Sequence, residues 1–308
     1  MDQASFPWRP VARCEGYEYS IAKVADALDF FRPEVIEWIR AVGEEPRFHT
    51  KQWEYAQVLE ARRRFAPNAG RLLGLGCGRD LIIPRLAEGA EEVVATDLYG
   101  LLGAWKTAAV RPDEIFKYVK NLRVHPMDMR KMDLPHESFD FIWSLCAVEH
   151  TGRPDAVIDV VRQAGKRLRP GGVLVLTTEY TFDSEPFYAP DYPSGTLFFN
   201  DGMLRRLYTD TGLHLVEPID LRVSTHAMNV PVWDLLGNRV PNIPHVLYRV
   251  QPIPIWGAYG GCVCVVLCRE DRGQDRLIQD PDQLKKLQPL FEFGRKMSRR
   301  LSPPRRWW

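Results

Sequence analysis

Residues 71–86 read RLLGLGCGRDLIIPRL: an apolar run, three alternating glycines at Gly74, Gly76 and Gly78, an acid at Asp80, then renewed aliphatics. An apolar run that breaks into glycines and resumes as a short amphipathic stretch is the start of a strand–turn–helix unit. Glycine at such a turn lets the backbone approach a ligand where a side chain would otherwise stand. In an open parallel sheet the ligand lies beyond the carboxyl ends of the strands, so this turn marks the binding edge.

The spacing excludes one common ligand. A GxGxxG dinucleotide turn needs its third glycine at position 79 or 81, and those positions hold Arg79 and Leu81. An acid at the start of the following helix would also repel a pyrophosphate. A ligand with a cationic amino-acid head fits better. S-adenosylmethionine carries an ammonium, a carboxylate and a sulfonium. Backbone N–H groups near Gly74, Gly76 and Gly78 can meet its carboxylate, while Asp80 attracts its cationic side.

Downstream, strand and helix signals alternate. EEVVATD, NLRVHP, FDFIWSLC and VLVLTTEY read as strands. PDAVIDVVRQAGKRLRPGG reads as an amphipathic helix stopped by Pro170 and Gly171, and DGMLRRLYTDTG as a further helix. HLVEPID and GGCVCVVLCRE close the pattern. The alternation predicts an α/β fold with a doubly wound, mostly parallel seven-stranded sheet and an antiparallel edge strand. The predicted organisation is an N-terminal helical lid over 1–66, a ligand-binding domain over 67–270 and a C-terminal tail over 271–308. Residues 218–256, rich in proline and aromatics without a period, read as an insertion expected to lie over the active site.

Composition removes several function classes. Forty-one Lys and Arg against forty Asp and Glu leave a net charge of +1, without the basic surplus of a nucleic-acid binder. No apolar run approaches the roughly 18 residues of a membrane span. MDQASFPWRP has no secretory character, and the six cysteines form no CxxC pair. Reduced core thiols in a cytoplasmic protein are expected, with Cys262, Cys264 and Cys268 on one strand face. The closing RKMSRRLSPPRRWW is expected as a solvated basic tail, with weak peripheral contact to an anionic membrane as the alternative.

Two acids follow the next strands. Asp97 ends the second strand in VVATD, where a carboxylate can accept both ribose hydroxyls. Asp128 follows the third in HPMDMRKMDLP, placed to accept the adenine amino group, with the Met129 backbone N–H reaching the ring. Leu98, Ser144 and Trp53 complete the expected cofactor contacts; for Trp53, ordinary helix packing is the alternative.

The ordered set LLGLGCG, VVATD, MDMRKMDLPHESFDFIWS and LRPGGVLVLTTE resembles the class I S-adenosylmethionine-dependent methyltransferases. The resemblance covers residues 71–180 closely. FHTKQWEYAQVLE, EHTG and TTEY resemble a narrower group associated with bacterial surface-glycan or sugar modification. It implies a Rossmann-like fold and S-adenosylmethionine as cofactor. Many members carry an acid where this chain has Gly74 and a glycine where it has Asp80, so Asp80 is expected to replace that acid.

The expected reaction is methyl transfer to a hydroxyl, less readily an amine, of a small molecule or glycan. His150, after the fourth strand, is the candidate general base, since imidazole takes up a proton near neutral pH. Glu149 is expected to orient it and Glu179 to bind acceptor hydroxyls. No metal is assigned, although Glu149, His150 and Glu179 are suitable ligands for one. His214 reads as structural, and His226 and His245 as minor acceptor candidates. The competing readings are a cofactor-binding subunit without catalysis and a nicotinamide oxidoreductase, which the glycine spacing disfavours. The sequence names neither the acceptor beyond that class nor an oligomeric state.

Overall fold

Of five parallel strands, all but the outermost, LRVHP, carry apolar residues on both faces, a pattern that needs cover on both sides. In the computed structural model they are β2 (Arg71–Leu75), β3 (Glu92–Asp97), β4 (Leu122–Pro126), β5 (Phe139–Leu145) and β6 (Leu168–Thr181). They pair in parallel in the order β4-β3-β2-β5-β6. β12 (Ala258–Cys268) then runs antiparallel along β6. The structure describes residues 19–47, 49–99, 110–182, 186–189, 195–226, 229, 247–250, 258–289 and 292.

The predicted fold class stands, but the antiparallel strand is not an edge. Three short strands share the far side of β12, each antiparallel to it: β11 (Leu247–Val250), β1 (Lys23–Val24) and β9 (His214–Leu215). Beyond β1 lie β10 (Ile219–Asp220) and β13 (Leu277–Ile278), so the described sheet has eleven strands rather than seven. HLVEPID splits into β9 and β10 around Pro218, which has no N–H to give a ladder.

The domain limits shift accordingly. Residues 19–66 are built into the domain and are not a separate lid. They supply β1, a 3-10 turn over Ala27–Phe31, α1 (Pro33–Ala41) and α2 (Thr50–Phe65). His49 Nδ1 caps α2 by accepting the Lys51 N–H at 3.1 Å. α2 is polar in sequence yet lies against β5, β6 and β12. Its buried polar groups are paired: Gln57 donates to the Ile21 carbonyl, and Glu60 accepts from Trp38, Arg63 and Arg64. That pairing is what makes their burial tolerable. Residues 271–278 likewise join the sheet through β13, while 1–18, most of 227–257 and the basic segment from 293 onward lie outside the described residues.

α5 (Pro154–Arg167) ends three residues before Pro170. RPGG instead sits within β6, where the register with β5 breaks between Phe139 and Phe141. Cys77, Cys262, Cys264 and Cys268 are buried free thiols, as expected.

Candidate functional site

The three glycines, Asp80, Asp97, Leu98, Asp128 and Met129 lie at or just past the ends of β2, β3 and β4. Gly76 and Gly78 both have left-handed backbone, φ +61 and +45. A Cβ on Gly76 would stand 2.6 Å from both Ala147 Cβ and Met129 Cε. The turn is therefore wedged between the chain leaving β5 and the chain leaving β4. Two backbone donors fix the Asp97 carboxylate: Gly78 N–H to Oδ2 at 2.9 Å and Leu98 N–H to Oδ1 at 2.6 Å. Burial raises its pKa, and those two N–H groups oppose the rise. Each oxygen retains a further lone pair, so the carboxylate is oriented for two hydroxyl donors. The Tyr99 hydroxyl donates to the Gly78 carbonyl at 2.9 Å and tightens the same turn.

Gly74 and Asp80 are connected through Trp143. Parallel pairing sets Gly74 directly beside Trp143. A Cβ on Gly74 would collide with the indole ring and lie 2.9 Å from Cys77 Sγ. The ring, fully buried, extends to Asp80, with Nε1 3.4 Å from Oδ2. Asp80 keeps some solvent contact although protein atoms surround it closely. Its carboxyl is pushed up to about 7, by burial first and then by Glu54 and Asp97, against the pull of Lys51 and Trp143. An acid held this way gains from a bound cation.

Three expected contacts change meaning. Trp53 is a core residue: it is fully buried, and its Nε1 donates to Asp29 Oδ2 at 2.9 Å. Ser144 is also fully buried and spends its hydroxyl on the Leu75 carbonyl at 3.0 Å, tying β5 to β2. Asp128 caps a 3-10 turn over Met129–Lys131, accepting the Arg130 N–H at 2.9 Å and pairing with the Arg130 guanidinium at 2.6 Å. An adenine amino group there would compete with that arginine. Met129 does reach the site, through the side chain against Gly76.

On the acceptor side, β5 ends at Leu145 and Cys146 follows with φ +48, rare for a residue with a side chain. A 3-10 turn, Val148–Thr151, then presents Glu149 and His150. Glu149 is fully buried, and neither of its carboxylate oxygens has a hydrogen-bond partner among the described residues. Glu179, on β6, likewise has an unpartnered Oε2. Burial pushes the Glu179 carboxyl well up, and the neighbouring Glu149 adds to it. Burial raises Glu149 too, with His150 opposing. His150 Nδ1 lies 3.2 Å from both the Gly195 carbonyl and Thr196 Oγ1. Sequence reasoning missed Glu54 and Cys146. Lys51 Nζ is 2.8 Å from buried Glu54 Oε2, which also accepts from Thr177 Oγ1 at 2.9 Å.

Outside this cluster, His214 pairs with Asp275 at 2.8 Å and is structural, as expected. His226 packs against the Phe31 ring. His245 lies outside the described residues.

Residues 73–176 match the family model described as a methyltransferase domain. The fold of that segment is Rossmann-like, a parallel sheet with flanking helices. S-adenosylmethionine is the cofactor expected of such a domain. The left-handed glycine turn, the oriented Asp97 carboxylate and the cation-seeking Asp80 fit that cofactor.

Among curated relatives, the chain is 33% identical over 142 residues to a malonyl-(acyl-carrier protein) O-methyltransferase of Enterobacter lignolyticus (strain SCF1). That match covers 45% of this chain and 50% of the relative, so the chain spans half that relative's length. It is 25% identical over 182 residues to a phosphatidylethanolamine N-methyltransferase of Cereibacter sphaeroides, covering 56% of this chain and 86% of that one. Among solved structures, S-adenosylmethionine-bound CalS10, an amino pentose methyltransferase from Micromonospora echinaspora, aligns with a TM-score of 0.44 at 17% identity. It covers 77% of this chain and 97% of its own. Among the described residues, no helix is long and apolar enough to cross a membrane.

Proposed function

We propose that the chain transfers the methyl group of S-adenosylmethionine to a hydroxyl of a small molecule or glycan, with His150 as general base. The observation that carries this reading is the grouping of Glu149 and His150, just beyond the end of β5, with Glu179, near the end of β6. β5 lies beside β2, the strand that delivers the glycine turn, and β6 is the next strand beyond β5. The sulfonium already makes the methyl electrophilic, so the protein has to align a nucleophile and remove its proton. Alignment supplies up to roughly 7–11 kcal/mol in good intramolecular cases, and a positioned base about 100- to 10,000-fold.

A carbonyl only accepts, so the contact of His150 Nδ1 with the Gly195 oxygen places a proton on Nδ1. Nε2 is then the nitrogen able to take a proton from the acceptor. Glu149 and Glu179 offer unpartnered oxygens to neighbouring hydroxyls of the same acceptor. On the cofactor, Asp97 takes the ribose hydroxyls, Asp80 the ammonium, and Met129 the adenine edge. Nothing in the site favours a non-catalytic binding subunit.

A labelled-methyl screen against sugars, nucleotide-sugars and natural-product acceptors tests the proposal. Label in an alkali-stable ether supports it. Label on nitrogen overturns the choice of hydroxyl. Cofactor binding without transfer to any acceptor would establish the binding-subunit reading instead.

A further inference from the structure

Neighbouring carboxylates with buried oxygens that lack hydrogen bonds are costly unless something positive lies between them. One ligand atom from each of Cys146, Glu149 and Glu179 lies within 4.8 Å of the other two. Glu149 is fully buried with both oxygens unpartnered, and Glu179 Oε2 is unpartnered as well. The nearby ammonium, Lys51, is already engaged with Glu54, whose carboxylate Thr177 also satisfies. Cys146 enters the group through a left-handed backbone conformation, φ +48, a strain that points to a role for its position.

We propose that Cys146, Glu149 and Glu179 form a binding site for a borderline divalent cation of the zinc class. Two carboxylate oxygens and one thiolate suit Zn²⁺, Fe²⁺ or Co²⁺ better than Mg²⁺ or Ca²⁺, which prefer oxygen alone. Three protein ligands leave a fourth position open, the pattern of a catalytic rather than a structural site. Without a cation the Cys146 thiol stays protonated, because its contact with Cys262 and its burial both raise its pKa. A coordinated cation displaces that proton. His150 is not part of this ligand set in the observed arrangement, since its Nδ1 is directed at Gly195 and Thr196. The donor atoms carry the site by themselves. Its use, drawing the acceptor oxygen to the open position, rests on the function proposed above.

The test is titration of chelator-stripped full chain, saturated with S-adenosylmethionine, with Co²⁺ alone. One equivalent should bind and give a thiolate-to-cobalt absorption band, displaced by Zn²⁺. Cys146→Ser should lose the band, and Glu149→Gln and Glu179→Gln should each weaken binding by at least about tenfold. S-adenosylmethionine affinity measured on the same samples reports whether each variant is folded. If Cys146→Ser fails that control, the two glutamine variants decide. Of the two other groups of suitable donors among the described residues, Glu54, Cys146 and Cys262 would leave binding unchanged in both glutamine variants, which would overturn the proposal, and His214, Asp271 and Asp275 is removed as a source by His214→Ala, which should leave the band intact. No thiolate band in wild type, or cobalt binding unchanged in all three site variants, overturns the proposal. Metal binding without methyl transfer would refute the proposed function and leave this site standing; transfer by a protein that shows no cobalt band would do the reverse.

Discussion

The indole nitrogen of Trp143 lies 3.4 Å from Asp80 Oδ2, and the same ring fills the space that a side chain on Gly74 would need. The glycine and the acid are therefore two consequences of one tryptophan. An acid cannot occupy position 74 while Trp143 lies across it. In the reading proposed above, the negative charge facing the cofactor comes from the turn instead.

That coupling is measurable. Gly74→Ala should destabilise the protein by about 1–3 kcal/mol, because the buried ring has no room to give. Trp143→Leu introduced with it should relieve the collision, so the double variant should be more stable than the two single losses summed. Chemical denaturation of the four proteins checks this. An unchanged midpoint in Gly74→Ala would show that the ring is not confining position 74.

Asp80 predicts a pH dependence. Its carboxyl titrates at about 7, against about 3.9 when exposed. With the folded value raised, the stabilising contribution is complete below about pH 4 and is lost as pH rises through about 7. Cofactor binding runs the other way, because the ammonium needs Asp80 ionised. The affinity advantage of wild type over Asp80→Asn should be small near pH 6. It should reach about tenfold or more near pH 8. Taking the difference cancels the cofactor's own amine titration, near pH 8. Calorimetry that finds a pH-independent difference would remove Asp80 from the ammonium.

Asp97 and Trp53 should separate binding from stability. Asp97→Ala removes the acceptor for Gly78 and Leu98 and the proposed ribose contact. Affinity for S-adenosylmethionine should drop about ten- to a hundredfold. Trp53→Phe leaves Asp29 short of one donor in the core. It should cost about 1–3 kcal/mol in thermal or chemical unfolding while cofactor affinity holds. Loss of affinity in a folded Trp53→Phe protein would restore Trp53 to the site.

His150 acts after the cofactor is bound, in the reading proposed here. His150→Ala should keep near-normal S-adenosylmethionine affinity while turnover falls by about two to four orders of magnitude. Single-turnover kinetics with a competent acceptor measures it. A loss of less than about tenfold would mean that alignment suffices, and loss of cofactor binding would make His150 structural.

Local information in the sequence determined the central sheet, the glycine turn and the strand-end position of Asp97. Apolar runs, glycine spacing and acids at strand ends are set by neighbours along the chain, and the parallel core follows from them. Tertiary structure alone decided the rest. β1 docks on β12 across more than 200 residues, and no local periodicity encodes that pairing. Trp53 and Ser144 turned out to be buried hydrogen-bond donors because burial depends on what packs above them. The pairing of Gly74 with Trp143 is a matter of strand register. The Cys146, Glu149 and Glu179 group depends on two strand exits meeting. Sequence carries the chemistry of each side chain, but the distance between side chains far apart in the chain exists only after folding.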